Sequence, residues 1–351
     1  MKPDLQRPVP PALRHGEVFV QESQLILVDG MPGTGKSTLS QLIHRKLRAA
    51  GRRTVWCHEE SSAHPVRLFY EPNCHRSWAD YFRDVESCWQ HYAGELSRGN
   101  RIAVLDAALL QNHVRSLLIF NCDRELIVEL VLRIEKVIAV LDPVLVYLQP
   151  KDVAANFRDV IESRGTRLLQ LWIDAHDQYP YSRAAAIDGY SAFIAFWKDF
   201  DALCRTVFDR LKIKKLRQQV SHAEWSLRDA EILDFLDCSP RSESVDVGPL
   251  ERFAGRFNAA DDPTAPTVQM IPREEHLEAI VEQPTMSIEF GPLGCFRQTR
   301  LIPQARNQFY IAGWPHEVHF TEGATGAIET LTVTNSTAGW PPMHLTYCKL
   351  P

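Results

Sequence analysis

The chain has 351 residues, of which 45% are hydrophobic, so it is long enough for two domains with a buried core in each. Its formal net charge is −5; residues 246–351 carry 12 acidic and 7 basic side chains, and the first 245 residues balance at 32 of each. Neither part has the excess of Lys and Arg that binds nucleic acid, and the acidic second part argues against an anionic membrane surface.

Eight cysteines occur singly, from Cys57 to Cys348, without a CxxC pair that would indicate zinc. The N-terminus is polar and Pro-rich rather than signal-like, and no apolar run reaches membrane-spanning length. We therefore expect a cytoplasmic protein with reduced thiols.

Strands and helices are predicted to alternate through the first two thirds of the chain. Residues 1–22 are interpreted as a loose leader. A further strand is indicated near residues 213–220, but the charge of this segment argues against it. The other predicted strands cover residues 25–28, 54–58, 102–106 and 144–148. The predicted helices cover residues 39–47, 78–96, 110–118, 125–141, 152–164, 187–211 and 224–236. This alternation predicts an α/β domain, residues 23–238, with helices on both faces of a parallel sheet and ligands at the carboxyl ends of its strands.

The pattern changes after Cys238. Residues 239–248 are rich in Ser and Pro and are predicted to be a linker. Beyond them the helical period is lost, and short apolar runs alternate with Gly, Pro and Asn at 286–290, 308–312, 316–320 and 330–334. Residues 249–351 are therefore expected to form a small antiparallel β domain.

A glycine-rich loop follows the first predicted strand. Residues 30–37, GMPGTGKS, fit the pattern G-x-x-x-x-G-K-[ST], with a strand before and an amphipathic helix after. Glycines let the backbone wrap around phosphate oxygens, and the helix presents its positive end to the anion. Lys36 is expected to reach the β and γ phosphates of a nucleotide, and Ser37 to ligate Mg²⁺. The predicted nucleotide-binding residues are Gly30, Met31, Pro32, Gly33, Thr34, Gly35, Lys36, Ser37 and Thr38. The alternative is a glycine-rich turn without a ligand.

Asp106 ends the third predicted strand. A protein with this glycine loop places there the carboxylate that holds Mg²⁺ or its water, so Asp106 and Ser37 are the predicted metal ligands. The alternative is that Asp106 caps the N-terminus of the following helix.

Glu59 and Glu60 follow the second predicted strand, on the loop that should face the γ-phosphate. Either carboxylate could take the proton from an acceptor hydroxyl, and the alternative is a solvated acidic turn. His58 and His64 flank them and are weaker candidates.

Arg158, Arg164 and Arg167 lie around the end of the predicted helix 152–164. Transfer of a phosphoryl group needs positive charge over the moving group, and a lid carrying Arg164 or Arg167 would supply it. The alternative is a salt-bridged helix surface.

Residues 1–237 resemble P-loop small-molecule kinases, near the thymidylate kinase and deoxynucleoside kinase group. The loop has their form GxPGxGKST, with an acidic residue after the second strand and an arginine-bearing lid after the fourth. The chain departs from them after the third strand, where Ala107 and Ala108 follow Asp106 in place of an arginine. Residues 246–351, above all 250–257 and 300–333, resemble the small C-terminal β domain appended to some serine β-lactamase-like hydrolases. That domain is not catalytic in those relatives, and here it could mediate dimerisation, cover the active site or bind a partner.

These patterns predict a kinase that uses ATP and Mg²⁺ to phosphorylate a small-molecule acceptor such as a nucleoside, nucleotide or other hydroxylated metabolite. Its predicted catalytic residues are Lys36, Glu59, Glu60, Asp106, Arg164 and Arg167. The expected partners are a nucleoside triphosphate and the acceptor, without nucleic acid or membrane, and the protein could be a homodimer. The alternative is an ATPase or nucleotide switch whose β domain binds a partner protein.

Overall fold

A computed structural model of the protein describes residues 23–220, 225–238, 247–260, 265–281, 292–335 and 337–351. The predicted leader 1–22, most of the predicted linker 239–248 and the apolar run 286–290 lie outside these residues. In the described part of the chain, no helix is both long and apolar enough to cross a membrane.

Five described strands form a parallel sheet in the order β2–β3–β1–β4–β5. They are β1 (Leu25–Gly30), β2 (Thr54–Cys57), β3 (Ile102–Asp106), β4 (Val144–Pro150) and β5 (Lys214–Val220). β1 is the central strand, and all six of its residues are buried, as expected for a strand covered on both faces. Val28 pairs with Asp106, so β1 and β3 end side by side, with the glycine loop after β1 and Asp106 at the end of β3.

Helices cover both faces of this sheet. They are α1 (Lys36–Ala49), α2 (Trp78–Ser97), α3 (Leu110–Ile119), α4 (Arg124–Ile138), α5 (Val153–Arg164), α6 (Thr166–Asp177), α7 (Pro180–Ala185), α8 (Gly189–Arg210) and α9 (Trp225–Phe235). Successive β1 residues point to opposite faces: Leu25 and Leu27 pack with α2, α3, α4 and α8, whereas Ile26 and Val28 pack with α1 and α9. The predicted parallel sheet with helices is therefore confirmed.

Two local features differ from the expectation: the charge of residues 213–220 argued against the strand read there, and residues 166–185 were assigned no helix or strand. Residues 214–220 do form a strand, because their long side chains find partners: the Lys214 ammonium lies 4.9 Å from the centroid of the Phe235 ring, and Lys215 donates to the carbonyl of Leu211 at 2.6 Å. Helices α6 and α7 were not predicted. Gly165, at φ 98°, ends α5, and α6 begins at the next residue, so no polar loop marks the change of direction.

The second part of the chain is a closed antiparallel barrel of eight described strands, each paired with its neighbours in the chain and the last with the first. They are β6 (Gly255–Ala259), β7 (Val268–Pro272), β8 (Leu277–Val281), β9 (Gln298–Ala305), β10 (Gln308–Ile311), β11 (Glu317–Glu322), β12 (Ile328–Asn335) and β13 (Met343–Lys349); a one-turn helix α10 (Pro292–Cys295) precedes β9. Phe253, Phe257, Phe309 and Phe320 pack in its interior. The expected antiparallel β domain is thus confirmed, and its closure into a barrel was not foreseen.

Candidate active site

The glycine loop connects the buried strand β1 to helix α1. Gly33 and Gly35 have φ values of 90° and 82°, which β-carbon-bearing residues rarely adopt, and Gly35 precedes α1 without a side-chain cap. Within the described residues, the amide N–H groups of Gly33, Gly35, Lys36 and Ser37 form no hydrogen bond. A group of unpaired amides at a helix N-terminus is a favourable environment for an anion.

Side chains from two distant helices fix this loop. Asn156 of α5 donates to the carbonyl of Pro32 at 2.8 Å, and Arg228 of α9 donates to the carbonyl of Thr34 at 3.2 Å. Both side chains are buried. Sequence reasoning missed them because each lies more than 100 residues from the loop, and no local pattern marks them.

Lys36 is 3% exposed, and its ammonium forms an ion pair with Glu59 at 3.1 Å. The other oxygen of Glu59 accepts a hydrogen bond from the side chain of Gln111 at 2.5 Å. Burial alone would raise the pKa of Glu59, but the charge of Lys36, followed by His58, brings it below its ordinary value. Lys36 therefore carries its positive charge at the start of α1, in contact with the predicted base.

Two buried aspartates lie at the ends of neighbouring strands. Asp29 of β1 accepts hydrogen bonds from the backbone N–H groups of Leu109, Leu110 and Gln111, at 2.7 to 3.0 Å. Asp106 of β3 is also fully buried, and neither of its oxygens has a hydrogen-bond partner among the described residues. The start of α3 is thus capped by Asp29, and the alternative that Asp106 is the cap is wrong.

The two carboxyl groups also differ in the causes of their pKa shifts. Burial raises the pKa of Asp29 to about 6, although the three N–H donors oppose the shift. Burial, with the nearby charge of Glu59, also raises the pKa of Asp106, and Lys36 and the Ser37 hydroxyl offset this only in part. A buried carboxyl group that no described backbone N–H caps, with the carboxyl groups of Glu59 and Asp29 near it and only the Ser37 hydroxyl beside it, has the character of a cation ligand. The next residue, Ala107, has a φ of 56°, a strained value that recurs at functional sites.

A cavity of about 100 Å³ opens beside Asp106. It is lined by Glu59, Glu60, His64, Arg67, Phe69, Asp106, Ala107, Gln111, Asn112 and Arg115. Glu59 and Asp106 lie near Lys36, whereas the Glu60 side chain is 56% exposed and faces Arg67 at 3.8 Å. Burial lowers the pKa of His64 to about 4, so its ring is neutral at physiological pH.

The three candidate arginines are placed differently. Arg164 ends α5 partly buried; burial lowers its pKa, and the charges of Glu59 and Glu60 oppose that change, so its guanidinium lies near both glutamates. Arg158 and Arg167 are exposed, and no described contact joins either of them to the other candidate residues. The structure therefore brings Lys36, Ser37, Glu59, Asp106 and Arg164 together and leaves Arg167 apart.

No protein-family model matches the chain, and no curated protein matches it. Within the described residues, no group of three His, Cys, Asp or Glu side chains is placed to hold a metal ion by itself.

Proposed function

We propose that the protein is an ATP-dependent, Mg²⁺-dependent phosphotransferase that acts on a hydroxyl group of a small molecule. The observation that carries this proposal is the buried carboxyl group of Asp106, whose oxygens have no hydrogen-bond partner among the described residues. It lies near Ser37, at the strand end adjacent to the glycine loop. Such a group is costly to bury unless a ligand compensates it.

The phosphates would bind at the start of α1. The free amides of the glycine loop would bind phosphate oxygens, and Lys36 would neutralise the charge of the terminal phosphates. The Lys36–Glu59 ion pair is compatible with this role, because it keeps the ammonium at the loop before a nucleotide arrives.

The donor set fits Mg²⁺, which prefers oxygen ligands and commonly takes only one or two from the protein, the rest being water and phosphate. Asp106 and Ser37 would hold the ion directly or through water. Bound there, Mg²⁺ would neutralise charge on the phosphates and help to orient them.

The acceptor would bind in the cavity beside Asp106. Glu59 is the carboxylate at its phosphate end, so we assign to Glu59 the role of taking the hydroxyl proton. The hydroxyl oxygen then bonds to the γ-phosphorus, the bond from that phosphorus to the β–γ bridging oxygen breaks, and ADP leaves. Arg164, near both glutamates, would stabilise charge on the transferring group.

A screen of nucleosides, nucleotides, sugars and other hydroxylated metabolites for acceptor-dependent ADP release tests the proposal. A kinase releases little ADP until its acceptor is added, and the phosphorylated acceptor should then be detected by mass spectrometry. Steady ADP release without any acceptor would instead favour the ATPase or switch alternative.

A further inference from the structure

The barrel touches helix α1 at a side chain that has no other described hydrogen-bond partner. Gln41 is 2% exposed, and its amide donates to the carbonyls of Ile311 at 3.3 Å and Trp314 at 2.7 Å. Its oxygen accepts from the backbone N–H of Gly313 at 2.8 Å. We call residues Ile311–Trp314 the barrel turn. All three bonds of one buried glutamine are thus made to a single tight turn, so the turn's position on α1 is fixed.

Gly313 brings the barrel turn against the first turn of α1. It has a φ of 79°, and a β-carbon at this position would lie 3.1 Å from the hydroxyl oxygen of Thr38 and 3.3 Å from its backbone nitrogen. The same atom would lie 3.5 Å from the β-carbon of Ser37. The barrel backbone therefore packs directly on the residues proposed to bind phosphate and Mg²⁺.

The same turn also reaches the loop that carries the glutamates. The ring of Trp314 lies 5.0 Å from the ring of His58, whose Nδ1 accepts from the backbone N–H of Glu60 at 3.0 Å. A second barrel segment contacts this loop, because the carbonyl of Gly339 accepts from the backbone N–H of Ser62 at 2.9 Å.

A third contact reaches the end of α5. The guanidinium of Arg164 lies 5.1 Å from the centroid of the Phe296 ring, just before β9. The barrel therefore touches all three segments on which the proposed chemistry depends: the start of α1, the loop of residues 58–62 (the Glu59 loop) and Arg164.

We propose that the barrel turn, through Gly313 and Trp314, is a positioning element of the phosphotransfer site. It holds the first turn of α1 and the Glu59 loop in register with each other, so that Ser37 and Glu59 meet the same substrate. This inference rests on the proposed function. It gives the barrel a role in catalysis without a catalytic residue of its own, because none of these barrel groups lies in the cavity beside Asp106.

Gly313→Ala in the full-length protein tests this role, with Gly326→Ala as the matched control. Gly326 lies in another barrel turn at φ 80°, and a β-carbon there would meet nothing within 4 Å. Both variants add the same backbone strain, but only Gly313→Ala pushes on Thr38. We expect Gly313→Ala to lower kcat by roughly three- to tenfold, because the added β-carbon displaces Thr38 by a fraction of an ångström and a misplacement of about 1 Å costs about a hundredfold. The change in the KM for ATP should be smaller. Gly326→Ala should keep the wild-type kcat.

Hydrogen–deuterium exchange gives a readout that needs no substrate. Faster exchange in residues 37–41 and 58–62 of Gly313→Ala, but not of Gly326→Ala, is the expected result. Unchanged exchange there, or a kcat equal to that of the control, overturns the inference.

Trp314→Ala and Trp314→Phe cover the case in which Gly313→Ala does not fold. The Phe variant should recover most of the kcat lost in the Ala variant, because a ring still packs on His58; equal kcat values for wild type, Ala and Phe would overturn the inference. A wild-type protein that releases no ADP with any acceptor refutes the proposed function instead, and the exchange arm still decides whether the turn holds these segments.

Discussion

Asp29, near the end of β1, and Asp106, at the end of β3, are both fully buried, but their hydrogen-bond partners differ. Asp29 is surrounded by three N–H donors that cap α3, whereas Asp106, on the adjacent strand, has none within the described residues. Burial alone therefore does not distinguish a structural carboxyl group from a functional one. The hydrogen-bond partners do separate them, because a buried carboxyl group without partners persists only where something else requires it.

Lys36→Ala tests whether the region around Asp106 and the glycine loop is functional, and it has the largest expected effect. We expect kcat/KM to fall by about a thousandfold, because the main positive charge at the phosphates is lost. Circular dichroism should show that the variant keeps its fold, since Glu59 retains its bond to Gln111. A folded Lys36→Ala protein with wild-type phosphotransfer would show that the glycine loop is not part of the phosphotransfer site.

Asp29→Ala tests the structural side. It leaves three buried backbone N–H groups without their acceptor, so the free energy of unfolding should fall by roughly 3 kcal/mol, more than the roughly 0.5–2 kcal/mol of a typical lost cap. Urea titration followed by fluorescence measures the change. A variant of unchanged stability with lost turnover would mean that Asp29, like Asp106, serves the chemistry.

Glu59→Gln and Glu60→Gln compare the two carboxylates of one loop. Glu59 contacts Lys36, whereas Glu60 exposes half of its side chain, so we expect kcat to fall about a hundredfold for Glu59→Gln and about twofold or less for Glu60→Gln. Steady-state kinetics at saturating acceptor measures both. The reverse order would move the proton-accepting role to Glu60.

Asp106→Asn should abolish the proposed function while changing the free energy of unfolding less than Asp29→Ala does. The unfolding free energy should rise by about 1 kcal/mol at neutral pH, because burial raises the pKa of Asp106 to about 8 and the folded protein must protonate a carboxyl group that is ionised in the unfolded chain. Mg²⁺-dependent turnover should be lost. Because the pKa of Asp106 is raised in the folded state, its ionisation costs stability increasingly as pH rises above its ordinary pKa. The stability advantage of the variant should therefore be larger at pH 9 than at pH 5. A variant that is less stable and fully active would mean that Asp106 is a structural residue.

Local sequence pattern predicted much of the parallel sheet and the glycine loop because both depend on short-range features: apolar runs of four or five residues and glycines at fixed spacing. The pattern did not predict that Asp29 caps α3, because its partners lie about 80 residues away. Gln41 contacts the barrel 270 residues further along the chain, a contact that no local period encodes. Strand β5 was doubted because charge was counted without the partners that only the fold supplies.

Calorimetric titration of the wild-type protein with a non-hydrolysable ATP analogue, with and without Mg²⁺, tests the central claim most directly. We expect one nucleotide to bind per chain, more tightly with Mg²⁺ than without it, and we expect the Asp106→Asn variant to lack that metal effect. Wild-type protein that binds no nucleotide under either condition, or that binds it equally well with and without Mg²⁺, would contradict the proposed nucleotide and Mg²⁺ site.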